Sequence, residues 1–314
     1  MSDKTAIEWT DATWTPIRAR YFTQEGEKGW PERIGWHCEH ASPGCVNCYA
    51  ENINQRLGTG FAFKPAHLKH RTPLGDQRGD VDVFLDEAML VRPLRWSRPR
   101  EIFVCSMTDL FADFVTDDMI DRVFAVMALC PQHTFQVLTK RAARMRAYMR
   151  HDDGFGRWGF IDGRARQILR AFNGREIPPG KILVGPLPHV HLGVSIEDQR
   201  RCDERLPDLK ATPAARRFVS FEPLLEAVTA DLHGIDLAII GGESGRRARD
   251  CEIAWVRALV EQARRADCAP FVKQLGARPR IGQPGNISTF LRLRDAKGGD
   301  MAEWPEDLRV REGA

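Results

Sequence analysis

The 314-residue sequence has no apolar run long enough to cross a bilayer, which argues against a helical membrane protein. Its opening residues, MSDKTAIEWTD, lack the basic-then-apolar layout of a secretion signal, so a cytoplasmic protein is expected. No fixed-period repeat and no low-complexity segment is present, which removes solenoids and biased tails from consideration. Charge of one sign is also scarce. A net charge of +3, from 46 basic and 43 acidic residues, is too small by itself to argue for nucleic acid. Disulfides are not expected either. In a cytoplasmic chain, eight cysteines read as metal ligands, catalytic groups or core residues.

What is present is ordinary globular material, 43% hydrophobic and 28% charged, arranged in a recurring order. β-rich runs alternate with helical stripes: EIFVC to Cys105, DDMIDRVFAVMALC, HTFQVLTK, RAARMRAYMR, HVHLGVSIED, QRRCDERLPDLK, RRFVSFEP, IDLAIIGGESG, EIAWVRALVEQARRA and CAPFVKQLG. This alternation predicts an α/β fold with a parallel sheet covered by helices. Six strands after residue 100, with one or two before it, favour a complete or partial (β/α) TIM-type barrel over a doubly wound sheet. The barrel domain is expected over 1–276, with an insertion at about 151–188 and a C-terminal extension over 277–314. In such a barrel, chemistry sits where strands end. Those positions are polar here: Ser106 to Asp109, Thr139 to Arg141, Ser195 to Asp198, Ser220 to Pro223, Gly241 to Ser244, and Lys273-Gln274.

The most unusual segment is HCEHASPGCVNCYAE, residues 37–51, with cysteines spaced C-x6-C-x2-C. Three readings are open. Ordinary packing thiols fit poorly beside Ser42, Pro43, Gly44 and Asn47, because free cysteine prefers burial. A structural zinc needs four ligands, which Cys38, His40, Cys45 and Cys48 would supply from one loop. An iron–sulfur cluster held by three thiolates would leave one iron open for another ligand. A zinc deaminase is excluded. Its two motif elements open separate helices, and only three residues separate Glu39 from Pro43 here.

The cysteine loop ending CVNCYAE, followed by βα repeats, resembles the radical S-adenosylmethionine (SAM) superfamily. The first gap is longer than the usual C-x3-C-x2-C, and Asn47 stands where an aromatic residue often precedes the third cysteine. The spore photoproduct lyases and related DNA repair photolyases are closest in motifs: CYA at 48–50, Thr108-Asp109 after IFVCSM, and Thr139-Lys140 after FQVL. Over most of its length the chain also resembles a family of phage and bacterial three-Cys-motif proteins. The shared features are IEWTDATW, SPGCVNCYAE, FVCSMTDLF, VLTKR, LGVSIED, FEPLL, GGESG and VKQLG, spanning residues 7–276.

The resemblance implies a [4Fe-4S] cluster on Cys38, Cys45 and Cys48, with S-adenosyl-L-methionine on the open iron. It also implies an external electron donor and a 5′-deoxyadenosyl radical that abstracts hydrogen from substrate. Lys140 matches the lysine that pairs with the SAM carboxylate. Ser106, Thr108, Asp109, Ser195, Glu222, Gly241, Gly242 and Glu243 complete the candidate cofactor-binding set. Glu243 lies in a Gly-Gly-Glu turn that comes much later than the superfamily's own. Cys105, at a strand end, is the candidate catalytic hydrogen donor. DNA or a nucleotide is the expected substrate. Arg141, Arg144, Arg246, Arg247 and Arg249 are placed to grip phosphate, and Trp9, Trp14, Trp30 and Trp36 to stack on bases or to pack. The rival readings are a non-catalytic zinc- or iron–sulfur-binding module and a redox-sensing regulator.

Overall fold

The computed structural model describes residues 5, 7–22, 32–68, 70–71, 77–78, 80–150, 156–178, 183–282 and 289–313. Seven parallel strands form one sheet: β1 Ala12–Trp14, β2 Glu101–Val104, β3 Thr134–Thr139, β4 Val190–Ser195, β5 Arg216–Phe221, β6 Leu237–Gly241 and β7 Ala269–Gln274. They lie side by side in chain order, and among the described residues β1 and β7 do not pair with each other. Over the described residues the sheet therefore curls into a partial barrel. All six strand runs expected after residue 100 are present, and β1 is the one earlier strand that joins them.

Among the described residues, six helices of nine residues or more accompany the sheet: α1 Tyr49–Leu57, α2 Asp117–Leu129, α3 Ala142–Arg150, α4 Gly156–Asn173, α5 Gln199–Ala211 and α6 Ile253–Arg265. Their starts follow from local chemistry. Thr116 accepts a hydrogen bond from the Met119 N–H at the start of α2, where Asp117 and Asp118 fill the first turn. Asp198 does the same for the Arg201 N–H of α5. The region expected as an insertion holds α4, which packs on α2. A buried set joins them: Tyr148 Oη donates to Asp121 at 2.6 Å, and Arg157 reaches the same carboxylate at 3.2 Å.

Two further three-stranded sheets were not evident from the sequence pattern. Glu32–Gly35, Ile17–Phe22 and Val81–Leu85 form an antiparallel sheet between β1 and β2 in the chain. Cys251–Glu252, Pro279–Ile281 and Thr289–Phe290 form another beside α6. The segment beyond residue 276 is part of the main core, since Trp304 and Leu308 are buried in it.

Side chains alternate along a strand, so each strand gives one row to the helices and one to the concave face. Ile102, Val104, Phe135, Val137, Leu192, Val194, Val219, Ala238, Ile240 and Val272 join the helix-side core. Phe103, Phe218, Leu237, Ile239 and Phe271 gather with Trp9 in a second apolar cluster that floors the concave side. Gly193 belongs to this floor. A Cβ there would stand 2.6 Å from the Phe218 ring, so only glycine admits the aromatic. Trp9 stacks near Phe103, 4.8 Å between centroids, and Trp14 is fully buried with Nε1 donating to the Met89 carbonyl. Neither is free to stack on a base, so for these two the packing alternative holds. Burying these large rings is worth more than exposing them to a ligand. Trp36 is half-buried with the Arg18 guanidinium 4.8 Å above it, and Trp30 lies outside the described residues.

Candidate functional site

One step beyond the apolar floor, the same strand rows turn polar. Two residues after Leu138 comes Lys140, and after Gly193, Ser195. Phe218 is followed in its row by Ser220 and Glu222, Ile239 by Gly241, and Phe271 by Lys273. These groups are joined. Lys140 Nζ donates to Ser195 Oγ at 2.9 Å, and Ser195 Oγ in turn reaches the Glu222 carbonyl at 3.4 Å. Glu222 pairs with Lys273 at 3.0 Å and accepts from Ser220 Oγ at 3.1 Å. Gly241 faces this carboxylate, where a Cβ would stand 2.7 Å from Glu222 Oε1. Gly242 is required by packing, since its Cβ would meet the Leu275 carbonyl oxygen at 2.4 Å. Lys140 has no carboxylate partner among the described residues, so its charge is left available at the carboxyl ends of the strands.

The cysteine loop follows β1 and the antiparallel excursion, and it lies across these strand ends. Thr108 Oγ1, past β2, donates to the His37 carbonyl at 2.6 Å, and Tyr49 Oη donates to the Ser106 carbonyl at 2.7 Å. Past β3, Arg141 donates to the Glu39 carbonyl at 3.1 Å. Past β4, Glu197 accepts from the Gly44 N–H at 3.4 Å. Past β6, Asn47 donates to Glu243 at 3.1 Å, and Arg249 donates to the Pro43 carbonyl at 2.9 Å. Asp109 is the bracket between the ends of β2 and β3. Its carboxylate accepts from Thr139 Oγ1, Lys140 N, Arg141 Nη1 and Phe111 N at 2.7 to 3.1 Å.

Within the loop, Cys38, Cys45 and Cys48 are all free thiols of intermediate burial. Burial pushes the Cys38 thiol up to about 12, with Asp109, Cys48 and Cys45 adding to the rise and Arg141 opposing it. Burial also raises Cys48, and neighbouring Cys45 adds to that. Cys48 stands at the N-cap of α1, where the Glu51 and Ala50 N–H groups favour its thiolate, as does Lys140 more weakly. The three thiols thus lie within electrostatic reach of one another. Among the described residues, no three His, Cys, Asp or Glu side chains already stand in a metal-coordinating arrangement. His40 Nε2 is paired with Glu51 at 2.8 Å, and Glu51 also accepts from the Phe63 N–H at 2.8 Å. In the segment around Cys38, Trp36 Nε1, His37 Nε2 and Ser42 Oγ are buried with no hydrogen-bond partner among the described residues.

Cys105 departs from its expected setting. The strand ends at Val104, and Cys105 has φ +56°, which breaks the alternation that would have turned its side chain to the concave face. It is buried in the helix-side core, and burial raises its thiol well above the ordinary range. Cys38 and Asp109 are close enough to contribute to that rise.

Of the five arginines considered for phosphate, three are committed inside the fold. Arg141 is paired with Asp109 at 3.1 Å and Arg249 with Glu243 at 2.6 Å, while Arg144 donates to the Phe111, Ala112 and Val115 carbonyls. Arg246 and Arg247 are exposed. Glu197 and Lys273, named from the sequence only as strand-end positions, and Arg249, expected to grip phosphate, now belong to the site. So do residues that the sequence reading did not assign to it: Asn47, Tyr49 and Arg205. Asn54 is another. Its buried amide accepts from Trp36 N and donates to the Phe61 carbonyl, each at 2.9 Å, tying the start of the cysteine segment to the end of α1. The advance signal for Asn47, Tyr49, Glu197 and Lys273 was their place at strand ends or inside the cysteine motif; Arg205 on α5 and Asn54 on α1 carried none.

No curated protein and no solved structure matches the chain. A family described as a protein of unknown function, DUF5131, matches residues 4–299, and over that span the chain belongs to it.

Proposed function

We propose that the protein is a radical SAM enzyme. The observation that carries this reading is the placement of a three-thiol loop across the carboxyl ends of a partial parallel barrel, beside a lysine with no carboxylate partner among the described residues. Cys38, Cys45 and Cys48 would hold a [4Fe-4S] cluster. When bound, that cluster would supply the electron that cleaves S-adenosylmethionine. The donor set fits such a group. Three free thiols share one loop, the N-terminus of α1 favours negative charge at Cys48, and three buried polar atoms near Cys38 have no hydrogen-bond partner among the described residues. The pairing of His40 with Glu51 supports a three-ligand site over a closed Cys3His zinc site.

In this reading Lys140 holds the SAM carboxylate as a charge-assisted donor, with Ser195 orienting its ammonium group. Thr108 and Ser106 act on the cofactor through the loop, by fixing the His37 carbonyl and Tyr49. The apolar floor under Lys140 and Ser195 excludes water from beneath the reacting atoms. The substrate is proposed to be DNA or a nucleotide. Arg246 and Arg247 stand exposed on the loop after β6, which also bears Glu243.

The test is anaerobic purification and reconstitution with iron and sulfide. The expected result is about four iron per chain, a cluster signal that shifts on adding SAM, and 5′-deoxyadenosine on reduction. Cys38→Ala, Cys45→Ala and Cys48→Ala should each abolish the cluster. Cys105→Ala should retain full iron, because Cys105 belongs to the core. Stoichiometric zinc with no response to SAM would sink the proposal.

A further inference from the structure

The loop from Cys38 to Cys48 is long, and little within it holds it together. Its internal backbone bonds are the Cys45, Val46 and Cys48 N–H groups donating to Ser42, Pro43 and Cys45, and none of Pro43, Gly44 or Cys45 is buried. Three of its residues instead reach parts of the chain 150 to 210 positions away. Asn47 Nδ2 donates to Glu243 Oε2 at 3.1 Å and to the Arg247 carbonyl at 2.9 Å. Arg249 grips Glu243 with Nε at 2.8 Å and Nη2 at 2.6 Å, and its Nη1 donates to the Pro43 carbonyl. Gly44 sits over Glu197, a carboxylate with no solvent exposure that pairs with Arg205 at 3.0 Å. A Cβ at Gly44 would stand 3.2 Å from the Glu197 carboxyl carbon, so glycine here lets the loop lie down on that ion pair.

We infer that Asn47, Glu243 and Arg249 form a latch from the end of β6 that positions the Cys45–Cys48 arm for its ligand, with the Glu197–Arg205 pair as the seat beneath Gly44. This rests on the proposed cluster for its purpose, but the latch itself does not depend on it. It also gives the late Gly-Gly-Glu turn a task. Gly241 and Gly242 bring the backbone close to Glu222 and Leu275, and Glu243 then spends one carboxylate oxygen on the cysteine loop. These are positioning residues, since they touch the loop and not the ligand.

The full-length protein tests this in two ways. In the metal-free chain, alkylation of Cys45 and Cys48 is timed against the core thiols Cys130 and Cys268, with Cys130 fully buried. Asn47→Ala and Glu243→Gln should each speed modification of Cys45 and Cys48 by about tenfold without changing the core thiols. Asn47→Gln, which keeps the amide donor, should recover most of the wild-type rate. In iron-reconstituted protein, the same variants should lose iron to a chelator about tenfold faster and shift the electron paramagnetic resonance signal of the reduced centre. The double variant should do no more than the worse single one. Wild-type alkylation rates in both single variants would overturn the latch, whether or not iron binds. A wild-type chain that takes up no iron, but whose variants alkylate faster, would overturn the cluster and leave the latch standing.

Discussion

Gly242 and Gly163 show how much one hydrogen atom decides. At Gly242, a Cβ would press on the Leu275 carbonyl oxygen at 2.4 Å, and a backbone oxygen directly after β7 cannot step aside as a flexible side chain can. At Gly163, in the middle of α4 and exposed, a Cβ would meet nothing within 4 Å. Gly242→Ala should therefore cost about 1–3 kcal/mol through overpacking. Gly163→Ala should gain about 0.5–1 kcal/mol, because alanine loses less backbone entropy in a helix. Urea denaturation of the two variants checks both signs. Equal effects at the two sites would show that close approach at Gly242 is not what requires glycine. Glu222 and Glu243 make the same point for charge. Both are strand-end carboxylates in the polar rim, yet one is held by Lys273 and the other by Arg249, and no spacing in the sequence shows which cation serves which acid.

Strand β4 carries a titrating group into the sheet. His191 lies between Gln136 of β3 and Arg216 of β5 in register. Burial lowers its pKa to about 4, with Arg216 adding to the drop and Asp236 opposing it. The folded value is below the ordinary 6.5, so between those limits the unfolded chain binds the proton and the folded chain does not. Stability should therefore fall as pH drops from about 6.5 toward about 4, and should be unaffected by this residue above 7. Melting temperatures from pH 7 to pH 4.5 test it. His191→Gln should flatten part of that slope, and an unchanged slope would rule His191 out as a contributor. The element scale is also where the sequence was most legible. The βα alternation located every strand of the sheet after residue 100, because buried parallel strands are short continuous apolar runs, as LAIIG shows. It did not reveal the small sheet built on Ile17–Phe22, whose pairing with Val81–Leu85 joins residues as far apart as Ile17 and Leu85. Nor did it place Cys105, because a left-handed residue directly after a strand leaves no mark in the hydrophobic pattern.

At the scale of the whole molecule, an open sheet has two edges, and an uncovered edge invites pairing with another chain. The tail covers the β7 edge. Val272 N donates to the Val310 carbonyl at 2.8 Å, Glu312 N donates to the Pro270 carbonyl at 3.0 Å, and Phe271 bridges to Arg311. Trp304 anchors this cover. It is 2% exposed, and its Nε1 donates to the Gly298 carbonyl at 2.9 Å. Arg311 lies over both its ring and the Phe271 ring. The segment after residue 276 is thus the closing element of the partial barrel, and it backs the strand that carries Lys273 to Glu222. Trp304→Ala should cost about 3–5 kcal/mol, the usual result of emptying a large aromatic site. The loss should also appear at the site, as slower iron uptake on reconstitution, because β7 holds one wall of the polar rim. Urea denaturation gives the first number and iron per chain the second. A variant within about 1 kcal/mol of wild type would mean that the tail only lies on the surface, since a residue that closes a core cannot be removed at so little cost.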